Sequence, residues 1–155
     1  MNSDKTLPTL LSFLVLALLV GCNRGFDFQR EYQRAYNAYF GADRIAAKNS
    51  LLVFVERAER NEQSAKRVKD LDSDRVLAMS WLRLASCYED ENAKGTEAVQ
   101  RALQYFDRIP QIAADVDYQK DKRKWALNFL QKAESYQAPV WKRKPDASNE
   151  HATAK

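Results

Sequence analysis

From Phe28 to Ala133 the apolar residues recur at intervals of three and four in five successive stretches. That is the period of an amphipathic α-helix, not the alternation of a strand. The first stripe is Phe28, Tyr32, Ala35, Tyr36, Tyr39 and Phe40, closed by Gly41. Asp43 can cap the second, whose inner face is Ala47, Leu51, Phe54, Val55 and Ala58. Between Arg60 and Asp72 the chain turns polar, either as the frayed end of that helix or as a linker. Ser73 is placed to cap a third helix with Val76, Leu77, Trp81, Leu84, Ala85 and Tyr88 inward. Thr96 is placed to cap a fourth with Val99, Ala102, Leu103, Phe106 and Ile109, which Pro110 should halt. Asp117 opens a fifth, carrying Tyr118, Lys122, Trp125, Ala126, Phe129, Leu130 and Ala133 on one side. Four Gly and four Pro are too few for the turns of an all-β sandwich. The expectation is an all-α domain of antiparallel hairpins over residues 28–137, followed by a disordered basic and polar tail over 138–155.

The first residues follow a different rule. Met1 to Thr6 is short and polar, Leu7 to Val20 is apolar apart from Thr9 and Ser12, and Leu19-Val20-Gly21-Cys22 follows. A run this short, ending in small residues, reads as a secretory signal, since a spanning helix needs about 20 apolar residues. Leu-Val-Gly-Cys resembles the lipobox of bacterial lipoproteins. The resemblance implies a signal peptide at 1–21, lipidation of Cys22 as the mature N-terminus, and a tether at 22–27. In lipoproteins like those of enteric bacteria an Asp beside the Cys favours the inner membrane; here it is Asn23. The implied address is therefore the cell envelope, on the outer membrane facing the periplasm. Each buried acyl methylene contributes about 0.8 kcal/mol, so two or three chains would hold the body on a membrane.

Two hairpins resemble one another. Trp81, Leu84 and Tyr88, then Ala102, Phe106 and Ile109, keep the spacings of the first and second helices of tetratricopeptide repeats. Tyr32, Ala35 and Tyr39, then Ala47, Leu51 and Phe54, repeat the two halves. The resemblance covers residues 28–110 and implies a repeat-like stack, with the fifth helix as a cap. Tyr36 and Ala85 stand where the family usually has Gly, and an unrelated helical bundle would carry similar stripes.

Catalytic material is scarce. The one His is His151, so neither a Ser/His/Asp system nor a His-ligated zinc site has its parts. Asp70, Asp72 and Asp74 alternate, but a calcium loop starting at Asp70 would meet Arg75 and Trp81 where Gly and Glu belong. Those acids and Glu89, Asp90 and Glu91 read as helix-end residues. With no Gly-rich phosphate loop, no metal, no cofactor and no catalytic residue is expected. Cys87 lies in an apolar helical stretch and reads as a buried thiol, with a redox or intermolecular role as the alternative.

Charge is concentrated. Residues 119–144 hold eight basic and two acidic side chains, while the remainder is close to balanced. Trp141 and the Lys142, Arg143 and Lys144 beside it are candidates for contact with anionic lipid or cell-wall polymer, the alternative being a solvated face. Tyr32, Tyr36 and Tyr39 are candidates for a partner-binding groove. The expected function is a non-enzymatic interaction or scaffold module with an envelope protein as partner and no nucleic acid. The alternative is a cell-wall-acting enzyme or enzyme inhibitor.

Overall fold

The computed structural model of the chain describes residues 26–65, 71–88 and 91–143. The expected signal segment, Cys22, Lys144 and the rest of the expected tail lie outside the described residues. Those described form helices and turns, with no strand among them: α1 (Phe28–Tyr39), α2 (Arg44–Ala65), α3 (Leu71–Cys87), α4 (Asn92–Phe106), α5 (Pro110–Ala113), α6 (Val116–Lys120), α7 (Lys122–Tyr136) and a 3-10 turn (Val140–Lys142). The fold is all-α, as the periodicity requires.

Successive helices pack as neighbours, α1 on α2, α2 on α3 and α3 on α4, and α7 then lies across α3 and α4. The central position of α3 shows in its burial. Leu77, Ala78, Leu82 and Leu84 are inaccessible or nearly so, and so are Ser80 and Arg83 on other faces of the same helix. Ser80 meets the demand of burial by donating its hydroxyl to the Val76 carbonyl, 2.7 Å away. The inner face expected for α2 is the buried one, with Ala47, Leu51, Phe54, Val55 and Ala58 all in the core. Each fully buried large apolar side chain contributes about 1.5–3 kcal/mol, and this stripe anchors the first hairpin.

The caps are partly as expected. Asp43 Oδ1 accepts from the N–H groups of Ile45 (2.8 Å) and Ala46 (3.1 Å), satisfying donors that no earlier turn can reach. Ser73 and Thr96 are not caps but lie inside α3 and α4. The N-cap position of α4 is held by Glu91, without a side-chain cap bond; its carboxylate is instead engaged by Lys48 and Lys94. Pro110 does not halt α4, which ends at Phe106; it starts α5, where its fixed φ and missing N–H fit the first helical position. The expected fifth helix is two. Asp115 caps α6 through the N–H groups of Asp117 and Tyr118, and Asp121 breaks the run and caps α7 through Lys124 N–H at 2.9 Å.

The described part of the expected tail is not loose. Pro139 is fully buried, the 3-10 turn follows it, and the Trp141 indole N–H donates to the Tyr39 carbonyl at 3.0 Å. The folded body therefore extends through Arg143, six residues beyond the expected domain end at 137. The cause is a pair of anchors, a buried ring and an indole donor, that carry no helical period.

Candidate functional site

A groove of about 790 Å³ lies in the described surface where α6 meets α7. Its floor is Trp125 and Phe129, one turn apart on α7, whose rings stack with centroids 5.0 Å apart and planes 8° from parallel. Residues at i and i+4 share a helix face, so this pair is a direct consequence of spacing. The floor is fixed from below. Phe106 meets both rings edge-on at 5.4 and 5.9 Å, and Tyr118 meets Trp125 edge-on at 5.1 Å. Phe106 and Tyr118 are themselves fully buried. The Tyr118 hydroxyl donates to Asp107 Oδ1 at 3.0 Å, which also receives Lys122 Nζ at 2.7 Å. Burial, and then this bond to a carboxylate, push the Tyr118 phenol well above its ordinary range, so it stays a neutral donor.

The walls are polar. Lys120, Lys124 and Lys132 stand around the floor with Asn128, and Asp117 and Asp121 stand at the α6 end. Of the seven lysines described, Lys48, Lys94, Lys122 and Lys142 are paired with carboxylates. The other three are the ones in this groove. An aromatic floor rimmed by cations suits a ligand that offers an apolar group flanked by negative charge.

The three tyrosines expected to line a groove are brought together, but around a side chain of α3. Tyr39 is fully buried, which removes its ring from any partner's reach and corrects that expectation. Tyr32 and Tyr36 are half-buried. The Arg83 guanidinium lies 4.9 Å from the Tyr36 ring centroid and 5.5 Å from those of Tyr39 and Phe40, and Nη1 donates to the Tyr32 hydroxyl at 3.4 Å. Arg83 is only 8% exposed. The ring quadrupoles offset part of the cost of burying that cation, which explains why four aromatics crowd the end of α1.

Tyr39 also joins α1 to the chain end. Its hydroxyl donates to the Glu134 carboxylate and lies 3.1 Å from Ser86 Oγ. Burial first, then the Glu134 hydrogen bond, raise its pKa far above that of a free phenol. Lys142 Nζ donates to both oxygens of Glu134, at 2.8 and 2.9 Å. Trp141 and Lys142 are half-buried in this node, so they belong to the body and do not stand out from it; Arg143 is exposed.

Cys87 is buried, and desolvation pushes its thiol up to about 11, although Lys142 and Arg44 pull the other way. A thiol so shifted is a poor nucleophile. Among the acids, Asp74 is buried against Arg108 at 3.4 Å, and Glu91 is held below the usual carboxylate range by hydrogen bonds from Lys94 and then Lys48. Among the described residues no three His, Cys, Asp or Glu side chains form a group that could hold a metal ion. No described helix is long and apolar enough to cross a membrane.

Comparison with protein-family models, with curated proteins and with solved structures finds no match to this chain.

The α6–α7 groove is the site that sequence reasoning missed. Its signal was present: Lys124, Asn128 and Lys132 step by four along α7 directly beside Trp125 and Phe129. The two aromatics read as core because their stripe is apolar, and only the way α6 abuts α7 leaves their upper side accessible.

Proposed function

We propose that this chain is a lipid-anchored lipoprotein of the bacterial envelope, held through Cys22 on the outer membrane facing the periplasm, whose helical body is a non-enzymatic interaction module. The observation that carries the functional half is the α6–α7 groove. It is preformed, its aromatic floor is braced by Phe106 and Tyr118, and its lysines form no ion pair among the described residues. Such a surface is organised to receive another molecule before that molecule arrives, which lowers the ordering cost of association. The carboxylates that could serve an enzyme on cell-wall polymer offer less support, since Asp74 and Glu91 are engaged by Arg108, Lys48 and Lys94. Repeat-like stacking is part of this reading, supported by the pairing of α1 with α2 and of α3 with α4. The anchor rests on the Leu19-Val20-Gly21-Cys22 motif.

Metabolic labelling with radioactive palmitate tests the anchor. The parent chain should take up label and fractionate with membranes, and the Cys22→Ser chain should do neither, because serine offers no thiol for acyl-glyceryl transfer. Label retained by Cys22→Ser sinks the anchor. Pull-down from solubilised envelopes, compared between the parent and a chain carrying Asn128→Trp to fill the groove, tests the module.

A further inference from the structure

The chemistry of the groove narrows what it receives. We infer that it binds an acidic segment of a partner protein, seating one apolar side chain on Trp125 and Phe129 and placing carboxylates against Lys120, Lys124 and Lys132. This rests on the interaction-module reading above and names the partner class for that site.

Three observations carry it. Lys120, Lys124 and Lys132 are exposed and form no ion pair among the described residues, whereas every other described lysine has a carboxylate partner. Unpaired cations gathered around one recess raise the local concentration of anions and steer their approach. The lining sets Lys120, Lys124 and Lys132 against Asp117 and Asp121, so its net charge is positive by one, and the Asp121 carboxylate is turned in part to the Lys124 N–H that it caps. The recess is concave and about 790 Å³, within the range of sites that bury discrete side chains. A membrane surface is flat and would touch the lysine tips without reaching the rings. A peptide side chain can reach them, and stacked rings braced from beneath give it a rigid, apolar seat.

The test uses the full chain purified in detergent and fluorescence anisotropy of a short fluorescein-labelled peptide in which glutamates flank a single phenylalanine. Expected is saturable binding that weakens as salt is raised, and binding at least about tenfold weaker when glutamine replaces every glutamate or when the chain carries Lys120→Gln, Lys124→Gln and Lys132→Gln together; three rim pairs of about half a kcal/mol each give that factor. These lysines are exposed, so the triple variant should keep its helical circular dichroism. Asn128→Trp, which fills the recess without changing charge, should also weaken binding. Equal affinity for the glutamine peptide, or an unchanged affinity of the triple variant, overturns the inference. So does binding to phosphatidylglycerol vesicles with none to the peptide. The two readings fail separately. A chain that still captures an envelope protein through an Asn128→Trp-sensitive groove but ignores the acidic peptide refutes the partner class alone, whereas indifference to Asn128→Trp in both assays refutes the module as well.

Discussion

Trp141 donates its indole N–H to the backbone carbonyl of Tyr39 across 3.0 Å, joining residues 102 positions apart. The two rings meet edge-on with centroids 5.9 Å apart. The carbonyl lies in the last turn of α1, where no later helical N–H is available to satisfy it, so the indole acts as a cap supplied from the far end of the described chain. The first helix is thereby closed against the last segment.

Chains ending at residue 143 and at residue 138 should therefore differ in stability, although neither cut touches an α-helix. Trp141→Ala should cost about 2–4 kcal/mol, below the usual upper range for large-ring truncation because Trp141 is half-buried. Trp141→Phe keeps most of the contact and loses only the hydrogen bond, about 1 kcal/mol. Urea unfolding followed by circular dichroism measures both. Equal midpoints for the two chain lengths would show that the last segment lies on the body without holding it.

A second anchor sits at the other end of the bundle. The Trp81 indole and the Tyr105 hydroxyl each donate to Glu59 Oε1 at 3.0 Å, linking α2, α3 and α4 through one carboxylate. Trp81→Ala should cost about 3–5 kcal/mol. Trp81→Phe should cost less, about 1–3 kcal/mol, since Tyr105 still satisfies the carboxylate. A Trp81→Ala protein as stable as the parent in urea would contradict the placement of α3 between α2 and α4.

The helices were legible because burial follows a period. Leu51, Phe54 and Val55 on α2, and Ala102 and Phe106 on α4, are buried where the stripe puts them. What was not legible depends on single side chains acting across space. Nothing local distinguishes Arg83 from a surface arginine, yet it is buried in the aromatic cage closed by α1. Tyr39 belongs to the same stripe as Tyr32, and only the arrival of Glu134 and Trp141 from the chain end seals it. The groove was half legible. Its lysines were visible as a basic segment and its aromatics as a stripe, and their adjacency follows from the break at Asp121 that turns α6 against α7.

Three buried acids make the fold sensitive to alkali. Cys87 rises from an ordinary 9.0 to about 11, and Tyr39 and Tyr118 rise from 10.0, all chiefly through burial. In each case the folded state keeps its proton where the unfolded chain has lost it, so the associated stability is complete below the unfolded pKa and declines as pH rises above it. The urea midpoint should be flat through about pH 8 and begin to fall near pH 9. Cys87→Ala should move the onset to about pH 10, where the phenols take over. A midpoint that stays level to pH 11 would mean that these groups are hydrated in the folded state.

The last expectation concerns the charge at the centre of the chain-end node. Lys142 and Glu134 are 26% and 17% exposed at their side chains, so their pairing is screened less than that of surface ions. Lys142→Glu would bring a second carboxylate against Glu134 and leave Tyr39 as its remaining donor. The cost should be about 2–3 kcal/mol, less than for a fully buried pair because solvent still reaches both groups. Exchanging the partners, with Glu134→Lys added to Lys142→Glu, should restore at least half of the loss, since the Tyr39 hydroxyl can accept from an ammonium as readily as it donates to a carboxylate. Arg143 lies outside this node and is exposed, so Arg143→Glu should leave the urea midpoint within about 0.5 kcal/mol of the parent. If the exchanged pair is no more stable than Lys142→Glu alone, Glu134 is held by the Tyr39 hydroxyl, and the lysine only screens it.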